Sequence, residues 1–334
     1  MRTVTFQHNI GGRRRPDFAK VTAKHRMGKY MKLSQLPAAP ASFNYWPLAN
    51  AGAVADILGN GQLGDCTAAG ACHLADVYTA GGGSPAVLTA AQAIAFYSLS
   101  TGYDPSNPAT DQGGDEVTVL TTWENGGLDG KGLHAIKGFL SVDGSNADLL
   151  FASCWLFGGL YFGLELTDDM ANTQSAGFLW TPGTANPNDG HCVVGAGGNS
   201  SGKGSITINT WGLLGGFEMD AIAELCVQSA GGTVFVPISE EWVSAAKAMA
   251  PSGFDWEQLA SDFDLDLGGN VPAPAPAPSP KPPLPTPAPV GTVVTLGLAQ
   301  EWARLGIAQG DPLQDQTQAG NNAANGLAAG WPSS

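Results

Sequence analysis

Ten prolines fall between Pro272 and Pro289, in VPAPAPAPSPKPPLPTPAPV, and no helix or central strand accommodates such a run. It is expected to form a polyproline II spacer, about 3.1 Å per residue and roughly 55 Å long if straight. Whatever packs into a core must therefore lie before it. Four regions follow: a basic N-terminal arm at 1–34, a globular body at 35–268, the proline-rich linker at 269–291, and a tail at 292–334. The 46 glycines, high beside only 13% charged residues, agree with part of the chain being linker or tail rather than core.

Charge divides along the same lines. Residues 1–32 hold nine Lys/Arg and a single acid, Asp17, for +8, while the rest of the chain carries −22 of the net −14. A basic arm on an acidic body suits nucleic acid or an acidic protein partner; lying on its own body, or in solvent, are the other readings. No apolar segment of signal-peptide type is visible in the arm. The longest uncharged apolar stretch, Leu149 to Leu164, is too short to span a membrane and is split by two glycines. Five cysteines with no C-x-x-C pair argue against a disulfide framework and against a zinc site, and no cofactor is called for. The expected setting is cytoplasmic or virion-associated. In the tail, TLGLAQEWARLGI has helical spacing, with Leu298, Trp302 and Leu305 on one face. A helix near 295–306 on a long spacer reads as a tethered docking element; a tail without function is the other reading.

Within the body, helices come first and strands later, the order of an α+β protein with two segregated halves. CTAAGACHLADVYTA predicts a helix starting at Cys66 with Asp65 as its N-cap, and LTAAQAIAFYSLSTG a second. GDEVTVLTTWENGG and NADLLFASCWLFGG predict two more, each closed by paired glycines. LYFGLEL, HCVVGAG and SITINTWG read as strands, the last two joined by a hairpin through GNSSGK, and NPNDG before His191 reads as a turn.

Thiol catalysis needs a thiolate, a histidine, a group that orients the histidine, and donors for an oxyanion. Cys66 at a helix start has the favourable dipole and a free amide. Asp65 beside it opposes ionisation unless it turns outward to cap. His191 opens a strand, Asn209 ends the next, and Trp211 follows. Cys72 and His73 have no standard metal spacing, His134 reads as structural, and Cys154, Cys192 and Cys226 read as core residues.

Over roughly residues 36–245 these segments resemble, in order, the papain-like cysteine peptidases. NGQLGDC is similar to the family's Q-G-x-C-G-S-C, LTAAQ to its L-S-E-Q, and DQGGDEVTVLTTWENGGL to its N-G-G…N-G-G-I helix. GHCVVGAG is similar to G-H-A-V-x-x-V-G, INTWG to N-S-W-G, and LPAAPASFNYWP to the mature N-terminus. The resemblance implies a two-lobed papain-like fold, with a helical half led by the nucleophile helix and an antiparallel strand-rich half carrying His and Asn. It implies Cys66 as nucleophile, His191 as acid/base, Asn209 as the residue orienting the imidazole and Trp211 as its shield. A peptide or protein is the implied substrate. The family's oxyanion glutamine position is Asn60 here, and Gln62 is the alternative donor. Leu63 stands in place of a disulfide cysteine, and with about 35 residues before the body no long inhibitory propeptide is expected. The implied function is a cysteine peptidase or amidase cleaving a peptide or isopeptide bond, with acyl transfer as the same chemistry to another acceptor. The alternative is a papain-like scaffold with a degenerate site, a structural or assembly protein of the kind bacteriophage virions carry.

Overall fold

The computed structural model describes residues 12–30, 39–243 and 256–263. The proline-rich linker, the helix expected near 295–306 and the rest of the tail lie outside the described residues.

Local chemistry sets most helix ends. Helix α1 is Ala51–Ala55, capped by Asn50, and α2 is Cys66–Gly81. In α3, Ala90–Thr101, Thr89 and Gln92 form a reciprocal capping box. Asp115 and Asn146 each accept the N3 amide of α4, Glu116–Gly126, and α5, Ala147–Phe157. Gly158 ends α5 in the left-handed region at φ 75°, where the Trp242 indole also leaves no room for a Cβ. Two short helices, α6 (Asp168–Ala171) and α7 (Met219–Leu225), follow within the strand-rich half.

The strands are β1 (Ser42–Asn44), β2 (Ile136–Ser141), β3 (Leu160–Thr167), β4 (Leu179–Trp180), β5 (Ala185–Asn199), β6 (Ser205–Thr210), β7 (Leu213–Glu218) and β8 (Thr233–Ser239). They form one sheet in the order β2-β8-β3-β5-β6-β7-β4, with β1 on the end of β5. Every pair is antiparallel except β4 with β7. The architecture is the expected α+β one. NPNDG falls within β5 yet keeps its turn character. Between the paired residues Ala185 and Gly190, residues 186–189 bulge out of the ladder opposite the single β3 residue Leu166, and the Asn188 amide donates to Asn186 Oδ1 at 3.2 Å.

Helix α2 is the axle. Fourteen of its 16 residues are buried, so it is enclosed by α3, α4 and β5 rather than lying on a surface. The small residues Ala68, Ala69, Gly70 and Ala71 let it approach the sheet; a Cβ on Gly70 would sit 3.0 Å from Val194 Cγ1. Tyr161 Oη adds a polar tie across this interface, donating to the Thr67 carbonyl at 2.5 Å. Among the described residues no helix is long and apolar enough to cross a membrane.

Residues 12–30 of the arm lie against the body. Arg13 pairs with Glu116, Arg15 with Glu165 and Lys29 with Asp262, while Ser141 Oγ donates to the His25 carbonyl. For this part of the arm, the acidic partner is the chain's own body. Tyr161→Phe keeps the ring and removes the tie to α2. It is expected to lower stability by about 1 kcal/mol in urea unfolding, with an unchanged m-value.

Candidate active site

The loop before Cys66 is built from unusual backbone. Leu58 and Gly59 adopt φ of 55° and 98°, which folds residues 57–65 into a tight series of turns. Gly59 allows this coil to close on Asp65: a Cβ there would lie 2.7 Å from Asp65 Oδ2. The loop is tied to the turn before α4 through Asp111, which accepts from the Gly64 amide at 3.1 Å and from Tyr97 Oη at 2.6 Å. Tyr97 Oη in turn accepts the Gly113 amide.

Asp65 does not cap α2. It occupies the N-cap position with no side-chain cap bond, is fully buried, and accepts from Asn60 Nδ2 at 3.2 Å. Burial pushes its carboxyl up to about 8, against the pull of the Asn60 hydrogen bond. The other Asn60 amide hydrogen points to the Leu63 carbonyl at 3.4 Å. Both hydrogens of that amide thus serve the loop, and Gln62 is the exposed one of the two oxyanion candidates.

Cys66 opens α2 as expected, but its helix-end position does not set its acidity. Burial pushes the thiol up to about 12; the hydrogen bond from the Cys192 backbone amide pulls down, and Asp65 and Glu116 add to the rise. All five cysteines are buried and unpaired with one another. The Cys192 contact is informative, because Cys192 follows His191 directly on β5. The helix start and the histidine strand therefore meet at the cysteine.

His191 is buried, and its Nε2 lies 2.8 Å from Thr210 Oγ1. The Trp211 indole stacks on the imidazole, ring centroids 4.4 Å apart and 20° from parallel. Trp211 reaches this position by taking φ 50° at the end of β6. Asn209 faces elsewhere: its Nδ2 donates to the Val54 carbonyl at 2.7 Å, and its Oδ1 is buried with no hydrogen-bond partner among the described residues. The side chain bonded to His191 Nε2 is thus Thr210, one position beyond the residue expected, because neighbours on a strand face opposite ways.

Sequence reasoning also missed Arg13 and Glu116, which form a buried ion pair close enough to influence the Cys66 thiol. Nothing but charge marked Arg13 in the sequence. Glu116 carried a faint signal, a second acid directly after a helix cap.

No family profile matches this sequence, and no curated protein does. The fold is nonetheless shared with solved structures. Procathepsin L2 from Tenebrio molitor larval midgut superposes with a TM-score of 0.51 over 71% of this chain and 81% of that one, at 18% identity. Xylellain, a cysteine protease from Xylella fastidiosa, gives 0.51 over 71% and 99%, at 15% identity. The chain has the papain-like fold of cysteine proteases.

The raised Asp65 acidity has a measurable consequence. Between about pH 4 and 8 the folded chain keeps a proton on Asp65 that the unfolded chain releases, so stability falls as pH rises through this window. The expected loss from this group is roughly 3 kcal/mol between pH 5 and 8. Asp65→Asn keeps an acceptor for Asn60 and removes that slope, leaving the smaller one from Asp76, whose carboxyl burial raises to about 7. Urea midpoints at pH 5, 6.5 and 8 for both proteins check this.

Proposed function

We propose that the chain is a cysteine peptidase or amidase acting on a peptide or isopeptide bond through a Cys66 thioester. The observation that carries this reading is the meeting of Cys66, at the start of the buried helix α2, with β5 at the residue after His191. His191 takes the thiol proton, and the thiolate attacks the carbonyl carbon. The tetrahedral oxyanion is held by the Cys66 amide and by Gln62. Collapse expels the amine, which receives the proton from His191, and water then cleaves the thioester. Thr210 holds Nε2 and Trp211 fixes the ring plane, so the imidazole keeps one orientation through both half-reactions.

Residues 12–15 of the arm cross the cleft beside this site, so substrate must displace them. Burial is the largest cause of the raised Cys66 thiol, so the thiol becomes reactive only as the cleft opens to take substrate.

A second reading, a scaffold whose site is no longer used, draws on the engagement of Asn60 with Asp65 and of Asn209 with Val54. Under it, the arm and tail act in assembly, as in a virion component, and Cys66 is dispensable.

A peptide library incubated with the wild-type chain and with Arg13→Ala, whose arm has lost its anchor, separates the two. Hydrolysis is expected to be faster in Arg13→Ala and to fall to background when Cys66→Ala is added. Thr210→Val is expected to lower kcat about 10- to 100-fold with little change in KM, because it leaves the imidazole present but unheld. A folded Arg13→Ala chain that cleaves nothing would favour the scaffold. Iodoacetamide gives an independent check: Cys66 should react slowly in the wild type and ahead of the other four thiols in Arg13→Ala.

A further inference from the structure

The arm does more than cover the cleft; it fits it residue by residue. The Gly12 carbonyl accepts the Gly114 amide at 3.0 Å, the Arg13 amide donates to the Gly190 carbonyl at 3.2 Å, and the Arg14 amide donates to the Gly114 carbonyl at 2.9 Å. The segment thus bridges the turn before α4, on the helical half, to the residue just before His191, on the strand half. At Gly12 there is no space for a side chain. A Cβ there would lie 2.5 Å from Gly64 Cα, and one on Gly113 would lie 2.1 Å from the Gly12 carbonyl oxygen. Backbone forms both walls, so neither yields as a flexible side chain would.

The next residue meets the opposite demand. The Arg13 side chain enters a closed pocket, its side-chain exposure 1% and that of Glu116 zero. Nε donates to Glu116 Oε1, and Nη2 donates to the Gly231 carbonyl at 2.8 Å. Gly163 makes the space, since a Cβ there would fall 2.0 Å from Glu116 Oε1 and 2.6 Å from Arg13 Nε. Glu116 Oε2 is buried with no partner among the described residues. The pocket therefore offers two separated acceptors in fixed directions, which a planar guanidinium engages at once and a lysine ammonium does not.

The geometry points to a recognition site in the cleft for a glycine-arginine segment of a peptide or protein, a slot walled by Gly64 and Gly113 followed by a pocket floored by Glu116, with Gly12 and Arg13 of the arm as its built-in occupant. That such a segment is the substrate class rests on the peptidase reading above; that it binds does not.

The test uses the full-length chain and a fluorescein-labelled peptide copying residues 10–17, Ile-Gly-Gly-Arg-Arg-Arg-Pro-Asp. Two control peptides carry Ala at the position of Gly12 or Lys at the position of Arg13. By fluorescence anisotropy, Arg13→Ala is expected to bind the native peptide at least tenfold more tightly than the wild type does, because its own arm no longer competes. The Ala peptide should bind it about 100-fold more weakly than the native one, and the Lys peptide about tenfold more weakly. In the wild type, excess native peptide should speed hydrogen exchange at the Arg13 and Arg14 amides, and the Ala peptide should not. Equal binding of the three peptides would overturn the proposal, since it would reduce the effect to attraction between basic peptides and an acidic body. Absence of binding to a folded Arg13→Ala chain would also overturn it. Should Arg13→Ala not fold, the wild-type exchange experiment decides alone, with selective release by the native peptide as support and equal or absent release as refutation. Selective binding of a peptide that stays intact would retire the peptidase reading and keep the site. Cleavage indifferent to the glycine-arginine pair would do the reverse.

Discussion

The ion pair between Arg13 and Glu116 joins the three parts on which the candidate site depends: the arm, the start of α4, and the cleft wall at Gly163 and Gly231. Both side chains are almost wholly withdrawn from water, so their desolvation is large and the pair adds little to stability over an apolar equivalent. Its force lies in the cost of separating the partners. An arginine remains protonated under all ordinary conditions, and removing one member strands the other's charge in the interior, at a cost of about 3–5 kcal/mol. Segment 12–15 is therefore held in one place despite its exposed surroundings. The Arg15–Glu165 contact contributes far less, because the Arg15 side chain is 63% exposed.

That anchoring reaches Cys66, the proposed nucleophile. Arg13 and Glu116 act on the Cys66 thiol with opposite signs, and burial is the largest cause of its rise. Asp65 lies closer in sequence and adds to the rise of the thiol, while burial pushes its own carboxyl up to about 8. A buried acid of this sort is tolerated because Asn60 supplies it with a hydrogen bond. The loop thus engages both hydrogens of the Asn60 amide, one of the two candidate oxyanion donors.

Features set by nearby residues were legible in the sequence. Helices α3, α4 and α5 and the glycine stops of the last two fall where their residues indicated, because each is closed by groups three or four positions apart. The positions of Cys66 and His191 on a helix start and a strand were equally legible. What could not be read were choices of direction. Asp65 had either an outward capping role or an inward buried one, and the left-handed backbone at Leu58 and Gly59 selected the second. Asn209 and Thr210 differ only in strand phase, which is set by the irregularity between Gly195 and Gly197 in the β5–β6 ladder and by the turn of Trp211.

The glycines carry the same lesson further. Their abundance was read as a mark of linker and tail, where glycine adds freedom. At Gly64, Gly113, Gly163 and Gly190 it serves the reverse purpose, removing side chains so that backbone or a charged head can approach within hydrogen-bonding distance. Composition counts both uses alike, because the difference lies in what stands opposite each residue. Here an arm from the far end of the chain stands opposite, so the cleft's shape is defined as much by Gly12 and Arg13 as by its own walls. A surface built to be met by backbone on two sides selects its occupant by what that occupant lacks. The neighbouring pocket selects by what it carries, and the two demands fall on consecutive residues.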